Sequence, residues 1–234
     1  MEHGYTWAGA LIGAIPALHG LPESVLTSAL VAIVLLIGGF IVRSSLADAE
    51  KAVIPGERAS LGLLAQYFVE GIANMAESVI GHGSRQYVPL LGTFFIFILL
   101  GNLLGLVPGF SPPTSDISVT FGLGAVTFVI YHIHGVREHK AKYVKQFLGP
   151  MLALAPLILI VEIFSHAFRP ISLGIRLFAN MFADHQVIEK FTDLVPVIVP
   201  VPFYALGAFV CLVQAFVFTL LTAIYISLAI SHDH

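Results

Sequence analysis

Residues 151–187 read MLALAPLILIVEIFSHAFRPISLGIRLFANMFADHQV, a near-continuous apolar run of 37 residues. At about 1.5 Å per residue a straight helix over it would be about 55 Å long, against a hydrocarbon core of about 30 Å. That is too long for one upright crossing. The run holds Pro156 and Pro170 and carries charge at Glu162, Arg169, Arg176 and Asp184. A strongly tilted, bent helix or a helical hairpin fits it better than a vertical span. The last apolar stretch, 196–231, is similarly long, opens with Pro196, Pro200 and Pro202, and has Gln214 near its middle. Two successive over-long apolar helices predict an antiparallel pair, both steeply tilted.

Upstream, shorter spans fall at 24–43, 87–107 and 117–134. The second ends in Pro108-Gly109 and Pro112-Pro113, and it contains Gly101-Asn102-Leu103-Leu104-Gly105. This small-xxx-small spacing predicts close helix packing in lipid. Between the first two spans, 44–86 is charged at Lys51, Arg58 and Arg85, with Arg43 just before it. Within it, Leu61 to Ile80 reads as an amphipathic helix. Glu70, Asn74 and Glu77 share one face; Leu64, Phe68, Ile72, Met75 and Val79 share the other. That pattern suits a helix along the membrane surface better than one crossing it. The expected fold is all-α: a single polytopic membrane domain, 1–234, of about five membrane helices plus one amphipathic helix. The remaining pieces are an external N-terminal segment, 1–23, and the two long helices at 150–188 and 196–231.

Composition agrees. Of the 234 residues 57% are hydrophobic and 11% charged, and the mean hydropathy is +0.92. Soluble domains carry about 25% charged residues, so a water-soluble fold would lack the polar residues to cover itself. The net charge of -3 excludes no partner class, but no basic tract suggests nucleic acid. Cys211, alone in its apolar run, reads as a small core residue. Met1 to Trp7 contains Glu2 and no Lys or Arg, unlike the basic start of a signal peptide.

Orientation follows from the basic residues. Eight of the 11 Lys and Arg fall in two groups: Arg43, Lys51, Arg58 and Arg85, then Arg137, Lys140, Lys142 and Lys145. The 108–116 loop has none, and the Glu189 to Asp193 loop has only Lys190. Both basic loops are expected in the cytoplasm, the N-terminus outside and the C-terminus inside.

Several chemistries find no motif. There is no GxxxxGK[ST] or GxGxxG for a nucleotide, no HExxH for a metal, and no nucleophile that can be placed beside a base. No cofactor is expected. His132, His134 and His139 read as residues of a wet helix end, and His232-Asp233-His234 as an exposed tail.

The informative residues are polar ones inside the long helices. A charge at the bilayer centre costs about 2.5–3.5 kcal/mol on insertion scales, so such residues face a partner, a cavity or a pathway. On a wheel of about 100° per residue, Ser172 and Asn180 fall within about 40° of Arg176. Arg169, Ser165 and Glu162 project onto the same side if the Pro170 bend is ignored. His185 falls on the opposite face.

The run Arg169-Pro-Ile-Ser-Leu-Gly-Ile-Arg-Leu-Phe-Ala-Asn-Met-Phe-Ala-Asp184 resembles the signature of subunit a of F-type ATP synthases. Leu212-Val-Gln-Ala-Phe-Val-Phe-Thr-Leu-Leu-Thr-Ala-Ile-Tyr-Ile-Ser227 resembles that family's last helix, and Gly101 to Gly109 an earlier span. The three occur in the family's order, and the likeness covers roughly Gln86 to the C-terminus. It implies a non-catalytic stator subunit in the cell (inner) membrane. Its partners would be a c-ring, b-type peripheral stalk subunits and lipid, with protons as the transported ion and no nucleotide bound directly. Two aqueous half-channels would load and unload a carboxylate on each c subunit.

The resemblance further implies that Arg176 matches the family's essential arginine. Asn180, His185 and Gln214 match the inlet half-channel, Glu162 and Ser165 the cytoplasmic one. Asn102 and Tyr225 match polar positions near the interface. Where some members carry a titratable residue on the last helix, this chain has Gly207. His185 is then left either to relay protons or only to line water, and Asp184 is a second candidate on the same turn. The guanidinium suits a barrier: its pKa above about 12 stops it relaying a proton, while it attracts carboxylates and repels hydronium. The rivals are a stand-alone channel or secondary transporter, which would predict inverted repeats that the two halves do not show, and an intramembrane enzyme.

Overall fold

The computed structural model describes residues 6–15, 19–45, 61–81, 83–140, 143, 154–194 and 200–231. The helices are α1 (Trp7–Ala14), α2 (Glu23–Ser45), α3 (Leu61–Ile80), α4 (Val88–Leu104), α5 (Ile117–His139), α6 (Ala155–Leu194) and α7 (Pro200–Ile230). No strand occurs among the described residues. Among the described residues five helical segments are long and apolar enough to cross a membrane: α2, α4 together with the turn before it (Ser84–Leu104), and α5 to α7; α3 is not among them. The protein is a polytopic all-α membrane protein. Lys51, Arg58, Lys142, Lys145 and the 232–234 tail lie outside the described residues.

Local chemistry sets the ends. α2 begins after Pro22 with Glu23 in its first turn and has Arg43 in its last, matching the helix dipole at both ends. Pro89 fits the first turn of α4, where its missing N–H is no loss. The chain then turns through Gly109, whose φ of 87° a side chain would strain. Gly101 and Gly105 do not meet a neighbouring helix. A Cβ on Gly105 would lie 2.6 Å from the Pro112 side chain, and one on Gly101 3.3 Å from that of Pro113. The glycine spacing therefore admits the proline loop folded back on α4 rather than a helix–helix crossing.

α6 is one helix of 40 residues with Pro170 inside it, so the hairpin alternative is excluded. At about 1.5 Å per residue it is about 60 Å long, twice the hydrocarbon core, which forces tilt. Its pairing with α7 is antiparallel and holds one register. The Arg169 guanidinium lies 5.5 Å from the Tyr225 ring centre. Asn180 Nδ2 donates to Gln214 Oε1 at 2.7 Å. The Phe191 and Phe203 rings stack 4.2 Å apart. These α6 positions are three helical turns apart, as are their partners in reverse order, so one stripe of each helix faces the other. Leu173, Leu177 and Met181 bury themselves between the polar pairs against Cys211, Ala215, Phe218 and the α4 residues Phe94 and Ile98.

α5 closes on α6 at one glycine from each helix. A Cβ on Gly124 would lie 2.6 Å from the Pro170 carbonyl oxygen, and one on Gly174 3.2 Å from the Thr120 carbonyl oxygen. α3 lays Ile72 and Ala76 against Tyr87, Leu91, Ala223 and Ile226, and its Val79 carbonyl accepts from Ser227 Oγ at 3.0 Å. Its polar face, Glu70, Asn74 and Glu77, is exposed.

Asp116 ties the ends of α2 and α5 together. Its carboxylate caps α5 by accepting from the Ser118 N–H at 2.8 Å and accepts from Ser24 Oγ at 2.5 Å. The Ser24 bond, with the Ser118 N–H, holds its pKa below the ordinary carboxylate value. A depressed folded-state pKa adds stability that is present above the unfolded value and lost as pH falls through the folded one. Asp116→Ala should therefore cost about 1 kcal/mol of stability at neutral pH, as for other lost caps, and less in acid. Thermal denaturation of the solubilised protein at neutral and acid pH checks this.

Candidate functional site

Arg176 sits in the middle of α6 and is exposed. No hydrogen bond or ion pair joins it to another described residue. Ser172 and Asn180, both exposed, flank it one turn away on either side, and the face next to them is apolar. Phe168, Ile175 and Phe182, at seven-residue spacing along α6, are 59%, 48% and 48% exposed. On α7, Leu206, Phe209, Val213 and Phe216 are exposed as well. A permanent cation thus emerges beside an uncovered apolar face. In lipid that arrangement is costly without an anionic partner, and among the described residues this chain supplies none.

One turn beyond Arg176, Asn180 reaches α7 and bonds Gln214, which is 3% exposed. Two turns beyond it, the Asp184 carboxylate occupies the space above Gly207. A Cβ there would meet Asp184 Oδ2 at 2.7 Å, Asp184 Oδ1 at 3.2 Å and Leu106 Cδ2 at 3.0 Å. Gly207 therefore makes room for a carboxylate delivered from α6. His185, half-buried, follows it. This group lies beside Leu106, at the end of α4 that leads into the 108–116 loop without basic residues. Nearby in sequence, Asn102 is buried at 1% exposure and its Oδ1 accepts from Thr114 at 2.5 Å. Its Nδ2 is buried without a hydrogen-bond partner among the described residues.

The other polar group lies on the far side of Arg176. Glu162 Oε1 is 3.2 Å from His166 Nε2, and His166 Nδ1 is 3.0 Å from the Tyr131 hydroxyl. Tyr131 and its neighbour His132 belong to the end of α5 that carries Arg137 in its last turn. Ser165 and Ser172 are exposed, and Ser172 Oγ donates to the Arg169 carbonyl at 3.0 Å.

The stripe drawn on the wheel is thus not one continuous face. Arg169 turns inward, 5.9 Å from the Tyr131 ring centre and 5.5 Å from that of half-buried Tyr225. The reading of His132 and His134 as wet-end residues also changes. The His132 ring packs 5.2 Å from that of His166 and 4.3 Å from that of Tyr131, and His134 Nδ1 lies 3.4 Å from the Tyr87 hydroxyl. Sequence reasoning missed His166 altogether. The available signal was its spacing of four from Glu162 on one helix face. Among the described residues no three His, Cys, Asp or Glu side chains cluster as a metal site.

Residues 25–227 match the family model described as ATP synthase A chain. Among curated relatives, ATP synthase subunit a of Bdellovibrio bacteriovorus is 46% identical over 197 residues, covering 84% of this chain and 86% of its own. ATP synthase subunit a of Geotalea uraniireducens is 40% identical over 200 residues, 86% of each chain. ATP synthase subunit a 1 of Syntrophotalea carbinolica is 42% identical over 181 residues, 77% of this chain and 76% of its own.

Proposed function

This chain belongs to the ATP synthase A chain family, that of subunit a, and on that premise we propose that it is the proton-channel stator of an F-type ATP synthase. Two offset half-channels carry protons to and from carboxylates on a rotating c-ring, and Arg176 keeps the half-channels apart. The observation that carries this reading is the exposed Arg176 beside an apolar face, without a hydrogen-bond or ion-pair partner among the described residues. A ring of membrane helices bearing carboxylates would cover that face and supply the missing anion.

The polar groups on either side of Arg176 support the division. Asp184 is eight residues away along α6, about 12 Å, and Glu162 is fourteen residues the other way, about 21 Å. Asp184, His185, Asn180, Gln214 and Asn102 form the inlet half-channel from the outside, with Asp184 in the space left by Gly207 as its titrating carboxylate. His185 lines the water beside it. Glu162 and Ser165 form the cytoplasmic half-channel, at the end where α5 runs into the basic residues. Tyr225 backs Arg169 between them. This orientation places the N-terminus outside and the C-terminus in the cytoplasm, in a cell membrane, with b-type stalk subunits holding the stator against the ring.

Affinity purification of the tagged chain from mild detergent tests the assignment. It should bring down the ring, the stalk and the catalytic head, and the chain alone in liposomes should pass no protons under an imposed gradient. Proton flux by the isolated chain would overturn the stator reading in favour of a stand-alone channel.

A further inference from the structure

Glu162 does not stand alone on α6. One turn on, His166 is 8% exposed and Tyr131, on α5, is fully buried at 0%. The imidazole spans the gap between them, with Nδ1 at 3.0 Å from the Tyr131 hydroxyl and Nε2 at 3.2 Å from Glu162 Oε1. A neutral imidazole has one N–H and one lone pair. A hydroxyl donating to Nδ1 leaves the N–H on Nε2, where it can donate to the carboxylate. Both ring nitrogens are then used, and turning the ring would break both bonds.

The backbone builds this arrangement. Pro170 has no N–H, so the His166 carbonyl one turn before it loses its usual helical donor. The Tyr131 hydroxyl lies 3.4 Å from that carbonyl oxygen as well, so its single proton is shared between the carbonyl and the nearer Nδ1. Gly124, two turns before Tyr131, lets α5 approach the Pro170 carbonyl closely enough for the phenol to reach. Exposure grades outward: the His166 side chain is 11% exposed and that of Glu162 34%. The imidazole is fixed inside, and the carboxylate stands at the surface. Polar and charged groups around the ring among the described residues include Arg169 on α6, His132 on α5, Tyr143 and, behind Arg169, Tyr225 on α7.

We propose that His166, anchored by Tyr131, is the positioning residue for Glu162: it holds the carboxylate through one oxygen and leaves the other to exchange protons at the cytoplasmic half-channel. This rests on the reading that Glu162 lies on that half-channel.

The test is ATP-driven acidification by inverted membrane vesicles carrying the whole complex, with initial rates normalised to the amount assembled. Glu162→Gln should slow pumping clearly. His166→Ala should slow it about threefold or more, and should cost less than about twofold further in the Glu162→Gln background, because residues in one hydrogen-bond network are not additive. His166→Gln, whose amide can accept from Tyr131 and donate to Glu162, should recover most of the rate. If His166→Ala prevents assembly, Tyr131→Phe carries the same comparison, slowing pumping with Glu162 present and not with Gln in its place. Equal losses in both backgrounds, wild-type pumping by His166→Ala, or no recovery by His166→Gln would overturn the positioning role while leaving the half-channel intact. Wild-type pumping by Glu162→Gln would instead remove Glu162 from the path, and the role of His166 with it.

Discussion

Arg176→Ala is expected to abolish ATP-driven proton pumping while the complex still assembles. The loss should be about a hundredfold or more, since breaking a desolvated ion pair leaves an uncompensated charge worth about 3–5 kcal/mol. Arg176 contributes nothing visible to the packing of its own chain. It is exposed, and the buried contacts between α6 and α7 are made by Leu173, Leu177 and Met181. Assembly should therefore survive its removal. Arg176→Lys should also fail, although it keeps a cation. An ammonium desolvated between helices gives up its proton, whereas a guanidinium does not. Acidification by inverted vesicles checks both variants, with the amount of assembled complex as the control. Normal pumping by either would remove Arg176 from the mechanism.

Asp184→Asn is expected to slow pumping about a hundredfold, the lower end of the range for a positioned proton-transfer group. The geometry singles out Asp184 over His185. The Asp184 carboxylate fills the space above Gly207, the position where a side chain on α7 would otherwise stand. Gly207→Leu should produce a comparable loss by driving a side chain into the carboxylate. His185→Ala should cost less than either. The same vesicle measurement decides: if His185→Ala is the more severe variant, the imidazole is the titrating group and Asp184 its neighbour.

The long helices were legible in the sequence because an apolar run of that length has few ways to be satisfied. The antiparallel pairing of α6 with α7 followed from their succession. Pro170 permits either a break or a continuous helix, and only the unbroken helix Ala155–Leu194 excludes the hairpin. A helical wheel places residues by angle and says nothing of reach. It put Arg169 beside Arg176, but the long Arg169 side chain swings to Tyr131 and Tyr225 on two other helices. It could not find the link from Tyr131 to His166, because Tyr131 stands on α5, 35 residues before His166 on α6. Gly101 and Gly105 misled in a similar way. Small residues announce a close approach but not the approaching segment, here the loop prolines.

The central claim is that Arg176 is a barrier between two half-channels, and proton leak tests it most directly. Membranes stripped of the catalytic head are energised with an imposed potential, at about 2.3 kcal/mol per charge for 100 mV. A carbodiimide blocks the ring carboxylates so that rotation cannot carry protons. Wild-type membranes should then be tight, and Arg176→Ala membranes should leak, because the two polar groups on α6 are no longer separated by a fixed cation. Arg176→Ala membranes as tight to protons as wild type would contradict the barrier role.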